Sequence, residues 1–362
     1  MSRHYPVCTR VAAGLGVFLM IGGMAQSGEG GPPRVPDPLS MHQPGGRSAS
    51  RAEVELGKIL FFDRRLSSND TMTCVSCHSP QLGFGDGENL SRGVSGNRTR
   101  RHAPSLYNLA WSKTFFWDGR ATTLEEQLLG PLSNPDELNM PMDSLVAKLR
   151  GVPFYVQAFE RVYPGSGLTA KHVARAIAAF ERTLIAGGSP FDRYEQGDHG
   201  ALSPAAERGM KLFFGRAVCS TCHSGAHFTD GRFHNTGVPG EDAGRSELDR
   251  VGEFQTRPYP FFQTQRAFKT PGLRNVALSA PYMHNGSEAT LKDVVAFYNQ
   301  GGKVKQSYGL SLDIRPLGLG EQEMSDLVAF LEALTSPVDV RPPTIPGPSD
   351  LPPADAFSRE DH

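Results

Sequence analysis

Cys74-Val75-Ser76-Cys77-His78 and Cys219-Ser220-Thr221-Cys222-His223 are two copies of one five-residue pattern, CxxCH. Two thiols at this spacing can form thioethers to the two vinyl groups of one haem, and the adjacent His then lies under the iron as its proximal ligand. Three other readings compete. A thioredoxin-like pair expects a βαβ pattern around the CxxC, and neither motif has one. A four-cysteine zinc site leaves both histidines unexplained, and its pairs usually lie closer together than these, which are 145 residues apart. Chance produces one CxxCH easily and two poorly. The pattern therefore predicts two covalently bound haem c groups, one on Cys74, Cys77 and His78 and one on Cys219, Cys222 and His223.

The rest of the cysteine inventory agrees. The chain has five cysteines, and the fifth, Cys8, falls in an N-terminal segment that reads as a secretory signal. Arg3 and Arg10 flank a polar start, an apolar run extends from Val11 to Met24, and Gly23 and Ala25 suit cleavage positions −3 and −1. The run is short and glycine-rich for a membrane span; an uncleaved anchor is the competing reading. With residues 1–25 removed, the mature chain is expected in the periplasm, without stable membrane insertion and without a thiol left for a disulfide. A net charge of −1 points to neither nucleic acid nor a membrane surface as partner. The 40 glycines and 28 prolines suggest long irregular loops.

Working outward from the motifs, the two halves look like copies. Glu55-Leu-Gly-Lys-Ile-Leu-Phe-Phe62 precedes the first, and Glu207-Arg-Gly-Met-Lys-Leu-Phe-Phe214 the second; Ser203 and Pro204 suit the cap and first position of the latter helix. Downstream, Ala103-Pro104-Ser-Leu-Tyr-Asn108 parallels Thr270-Pro271-Gly-Leu-Arg-Asn275, Asp118-Gly119 parallels Asn285-Gly286, and Thr123-Leu124 parallels Thr290-Leu291, all at an offset of 167. A last helix over Val173–Leu184 resembles Glu323–Leu334 at an offset of 150. Such a register marks a duplication. The expected architecture is mainly α: a haem domain over 48–200, a second over 201–336, and a Pro-rich, extended and poorly ordered tail over 337–362. In each half a short helix follows Thr-Leu, with Thr122 and Glu125, or Thr290 and Asp293, as capping boxes. Near its end the register sets Tyr298 opposite Pro131. A tyrosine oxygen can ligate iron and proline cannot, so haem 2 can be six-coordinate while haem 1 stays open to peroxide.

The order of these motifs, CxxCH, APSLYN, FWDGRATTLEEQ, CxxCH, TPGLRNVALSAPYMHNG and AFYNQGG, resembles the di-haem cytochrome c peroxidase and MauG family from about Ala52 to Thr335. The resemblance implies two cytochrome-c-like domains, a peroxidatic N-terminal haem, and a distal pocket supplied by Gln127 and Glu137 with Pro131 nearby. It also implies Trp117 between the haems and a calcium ion on the carbonyls of Ser279 and Pro281, although His102 stands where the peroxidases supply an Asn. Activation-dependent peroxidases close haem 1 with a loop His and ligate haem 2 with Met. Here Ser91–Arg101 contains no His and the haem 2 position is Tyr298, which favours the MauG-type branch, whose members oxidise Trp residues of a partner protein.

Each residue has a plainer reading beside this one. Glu137 could favour a helix N-terminus, Gln127 could be a surface helix residue, and Trp117 could be core. Met283 or Met324 could replace Tyr298 on haem 2, and His102 could reach haem 1. His42, His172, His199, His227, His234 and His284 read as surface or packing residues. The expected function is oxidation driven by hydrogen peroxide. Its substrate is a partner's tryptophan or, alternatively, a small cytochrome or copper protein acting as electron donor. A di-haem electron carrier with both irons six-coordinate is the non-catalytic alternative.

Overall fold

The structure is a computed structural model that describes residues 48–250, 264–305, 307–337, 339–353 and 356–357. The expected signal at 1–25, with Cys8, and His42 lie outside them. Helix α1 (Arg51–Phe62) starts where the Ser50 hydroxyl accepts from the Glu53 amide. It buries Leu56, Leu60 and Phe61 completely. Between it and the end of the first half come α2 (Leu124–Ser133), α3 (Met142–Arg150), α4 (Pro153–Val162) and α5 (Ala170–Arg182). The second half contains α6 (Pro190–Glu195), α7 (Pro204–Phe214), α8 (Ser246–Arg250), α9 (Leu291–Asn299) and α10 (Glu321–Glu332). Sheet is confined, among the described residues, to the antiparallel pair Phe233–His234 and Phe268–Lys269 and to isolated bridges.

One helix crossing, made twice, organises both halves. At Gly57 of α1 an added Cβ would stand 1.8 Å from the Ala176 carbonyl oxygen of α5; at Gly209 of α7 it would stand 1.9 Å from that of Asp326 in α10. Only glycine permits the backbones to come so close. An aromatic pair then closes each crossing, Phe61 against Phe180 at 5.2 Å and Phe213 against Phe330 at 5.1 Å. Both crossings are locked from the loop. Asn108 and Asn275 adopt left-handed backbone and take their amide bonds from the ends of α5 and α10: Asn108 N–H donates to Leu184 O at 2.8 Å, and Asn275 N–H to Leu334 O at 3.2 Å. Their side chains pair with Ala186 and Ser336 backbone. The repeat read from sequence is thus a repeat of packing.

The halves meet by reciprocal bonds. His102 N–H donates to His284 O at 2.8 Å, and Lys269 N–H to Trp117 O at 2.7 Å. In the register of 167, His102 corresponds to Lys269 and Trp117 to His284, so the joint has pseudo-twofold symmetry. Beside it, Arg101 bridges Asp118 and Asp242 (2.7 Å to the latter), tying the two halves through charge.

Two expectations change. Thr123, not Thr122, caps α2, its hydroxyl accepting from Glu126 N at 3.1 Å. Glu126, not Glu125, reaches back to Thr122 N, while Glu125 turns inward to pair with Arg182 at 2.9 Å. The capping box at Thr290 and Asp293 forms as expected. The described part of the tail is extended but tied down: Val340 and Phe357 pack on the first core, Phe357 edge-on to Phe154 at 5.9 Å, and Arg65 and Arg161 donate to the carbonyls of Pro346 and Pro353. Chain from the end of the second half therefore returns to the first.

Candidate functional site

Each CxxCH begins as a single 3₁₀ turn, Cys74–Ser76 and Cys219–Thr221, closed by His78 N–H to Cys74 O and His223 N–H to Cys219 O, both at 2.9 Å. The turn sets Cys77 and His78, and Cys219, Cys222 and His223, on the wall of a cavity, while Cys74 packs against the first core. A carbonyl then orients each ring: His78 Nδ1 donates to Phe84 O at 2.9 Å and His223 Nδ1 to Phe228 O at 3.0 Å. Donation from Nδ1 leaves the Nε2 lone pair for a metal, the arrangement that fixes tautomer and raises ligand basicity. Burial pushes both imidazoles below their usual pKa and so keeps them in the neutral, ligating form. Burial likewise raises the thiols, Cys77 to about 11 and Cys219 to about 12, with Cys74 higher still. Neutral sulfur in apolar surroundings suits a thioether, and no disulfide forms among the described cysteines.

Both motifs open on one cavity of about 1170 Å³ between the halves. It exceeds the ~300–1,000 Å³ of an ordinary ligand pocket. Tyr298 lines it, half-buried, with its phenol pushed above the usual value by desolvation and by nearby Cys222 and Cys219. Pro131 and Tyr298 are each the eighth residue of their helices, α2 and α9, and both line the cavity. The structure also brings Gln127, Asn134 and Glu137 to this wall. Glu137 sits in a turn after α2 and not at a helix N-terminus. Its carboxylate accepts from Asn134 Nδ2 at 2.8 Å; burial raises its pKa, and the Asn134 bond and the Arg120 charge only partly offset this. A carboxyl raised by burial is a stronger base than a free one and so better suited to take and return a proton.

Trp117 stands at the joint between the halves. Its Nε1 donates to His102 O at 2.8 Å and its ring meets His284 edge-on at 6.5 Å. Met283 lines the cavity, whereas the Met324 sulfur accepts from Asn299 in the second core. His102 turns Nδ1 to Glu88 O at 3.0 Å. An imidazole nitrogen is a poor donor for calcium, which takes ~6–8 oxygens. Ser279 and Pro281 line the cavity wall. Those two carbonyls and His102 do not by themselves make a calcium site.

Of the histidines read as surface or packing, His199 is exposed and His172 stacks on Tyr163, but His227, His234 and His284 all line the cavity. His227 stacks on Trp111 at 4.5 Å, and His284 on Phe268 at 3.6 Å. Sequence reading also missed Arg120, Lys269 and the Asp118–Arg101–Asp242 chain. The register held the signal: Lys269 and His284 occupy the positions of His102 and Trp117. Cys222, Asp230 and His234 come within metal-ligand reach of one another; a thioether on Cys222 would leave that trio two donors.

A mainly helical duplication whose two CxxCH turns face one cavity is the architecture of a di-haem c protein. Comparison makes this specific. Residues 51–200 match the di-haem cytochrome c peroxidase family. The methylamine utilization protein MauG of Methylorubrum extorquens is 41% identical over 312 residues, covering 85% of this chain and 86% of that protein. Cytochrome c551 peroxidase of Pseudomonas aeruginosa is 33% identical over 311 residues, with 83% of each covered. Among solved structures, a MauG-like protein associated with microbial copper homeostasis superposes with a TM-score of 0.72 at 33% identity, over 84% of this chain and 93% of that one. The chain belongs to the di-haem cytochrome c peroxidase and MauG family. It is an oxidoreductase of the di-haem peroxidase type, with haem c as cofactor. No helix among the described residues is long and apolar enough to cross a membrane.

Proposed function

We propose that this is a periplasmic, MauG-type enzyme that uses hydrogen peroxide to oxidise tryptophan in a partner protein. The observation that carries the reading is the asymmetry between equivalent helix positions: Tyr298 in the cavity near Cys219 and Cys222, Pro131 at the matching position of α2 in the same cavity, with Glu137 near Cys77 and no His in Ser91–Arg101. When bound, the haems supply iron for peroxide and store its oxidising equivalents. His78 and His223 would each hold an iron through Nε2. Tyr298 would add a phenolate oxygen to the group held by the second half, an anionic donor that favours the oxidised state. Pro131 offers no donor, so α2 would leave room for peroxide in the first half.

Glu137 accepts the proton of incoming peroxide at its unbonded oxygen and returns it to the leaving water, while Asn134 holds the other oxygen in place. Gln127 orients the bound oxidant from α2. Trp117, pinned by His102 O and Lys269 N, lies on the path between the halves and relays electrons across it. The deciding experiment is EPR of the resting ferric protein followed by peroxide with no reductant present. One high-spin and one low-spin signal, and a reaction that needs no prior reduction, are expected. Two low-spin signals with activity only after half-reduction would return the chain to the donor-driven peroxidase reading.

A further inference from the structure

Five cationic side chains besides Lys269 line the shared cavity, and each is accounted for. Arg101 and Arg120 pair with Asp118, Arg274 with Asp192 at 2.7 Å, Arg100 with Glu247, and Lys113 is exposed to water. Lys269 is different. Its side chain is half-buried where the second half leans on the first, Nζ donating to Thr114 O at 2.7 Å and Ser112 Oγ at 3.2 Å, with the Phe115 ring 5.8 Å away. Both acceptors are neutral, and among the described residues no carboxylate pairs with it, so one of its three N–H donors is left over. Burial alone lowers its pKa, to about 8, so the ammonium form still predominates at neutral pH.

An ammonium drawn into a cavity wall without a counter-charge is costly, and more so once a ligand fills the cavity and displaces water from it. Haem c brings what is missing, since each macrocycle carries propionate carboxylates that must be placed somewhere in this cavity. We propose that Lys269 is the counter-ion of a haem propionate in the wall between the halves and raises the reduction potential of that haem. The pseudo-twofold counterpart, His102, turns its ring to the Glu88 carbonyl and is kept neutral by burial, so the duplicated joint holds a fixed positive charge on one side only. Lys269 is thereby a positioning and tuning residue; its backbone bond to Trp117 O needs no particular side chain.

The inference rests on both CxxCH motifs carrying haem, and a pyridine-haemochrome count of two per chain checks that reading separately. With two haems confirmed, Lys269→Met should shift one of the two potentials downward and leave the other in place, because losing the cation stabilises ferric iron beside an unpaired propionate. Resonance Raman should show one propionate bending band displaced, and Lys269→Arg should restore both readouts. Unchanged potentials and bands in Lys269→Met with both haems present would overturn the proposal. Should Lys269→Met not mature, Lys269→Gln, which ends in an uncharged polar group one atom shorter, is read the same way.

Discussion

The two halves share a helix crossing, a glycine at it, an aromatic pair, an asparagine lock and a carbonyl-oriented histidine. They part company at the residues that face the cavity. The first half has Pro131, Trp117 and His102 where the second has Tyr298, His284 and Lys269. Structural positions demand the same chemistry in both copies: no side chain but hydrogen fits at Gly57 or Gly209. Cavity positions carry no such steric demand, and there the copies differ: a proline with a half-buried carboxyl near it in one and a tyrosine oxygen in the other, the proposed open site and the proposed closed one. Duplication supplied the scaffold, and a few side chains on a common helix divide the work.

The sharpest way to break this contrast is Tyr298→Phe, which removes the oxygen and little volume. Haem 2 should lose its low-spin EPR signal entirely or recruit Met283, which lines the same cavity, and haem 1 should keep its resting spectrum. An unaltered low-spin signal would mean that α9 does not supply the ligand, and that Pro131 and Tyr298 do not mark different roles.

Next in size is Glu137→Gln. Losing a general acid–base typically costs ~10²–10⁴-fold, so the stopped-flow rate with peroxide should fall by about 10² or more while both resting spectra persist. In the unmodified protein the same rate should decline as pH falls through the pKa of Glu137, which burial raises above the usual carboxylate value; the carboxylate is the working base and protonation silences it. The Gln variant should lose this acidic limb. Equal rates in the two proteins would reduce Glu137 to a turn residue held by Asn134.

Sequence alone made the scaffold legible because its demands are local and repeated. CxxCH names its own chemistry, and the offsets of 152, 167 and 150 align α1 with α7, the asparagine loops, and α5 with α10. Tyr298 emerged from the same register. What escaped was everything that depends on the halves meeting. Trp117 was placed between the haems, but its bond to His102 O, the Lys269 amide behind it and the Arg101–Asp118–Asp242 chain join residues that are remote in sequence. The helix start slipped by one because Thr122 and Thr123 both look like caps, and only packing decides which of Glu125 and Glu126 turns inward to Arg182. Val340 and Phe357 were hidden because a Pro-rich tail announces extension and not where it lies.

A smaller effect tests whether the crossings are equivalent. Gly57→Ala and Gly209→Ala each force a methyl onto a carbonyl of the facing helix, and neither backbone can move without opening its core. Overpacking of this kind costs ~1–3 kcal/mol, occasionally more. Calorimetry should show both variants destabilised by similar amounts. If one is tolerated, that crossing is held less tightly than its twin and the duplication has relaxed on that side.

The smallest expected effect concerns Arg120, which faces the open half only. Its guanidinium lies 3.4 Å over the Phe116 ring, pairs with Asp118 at 2.9 Å, and acts on Glu137 through charge. That charge lowers the pKa of Glu137 and so opposes burial. In Arg120→Gln the carboxyl should rise further, and the acidic limb of the peroxide rate should move to higher pH with the plateau unchanged. The shift should be modest, because the Arg120 side chain is 42% exposed and water screens it. Asp118 keeps Arg101 as partner in the variant, so the joint between the halves should hold. Arg120→Lys, which keeps a charge in place, should return the limb most of the way. A limb that stays put in Arg120→Gln would mean burial and Asn134 alone set Glu137, whereas a lowered plateau with an unmoved limb would make Arg120 a contact of the oxidant itself.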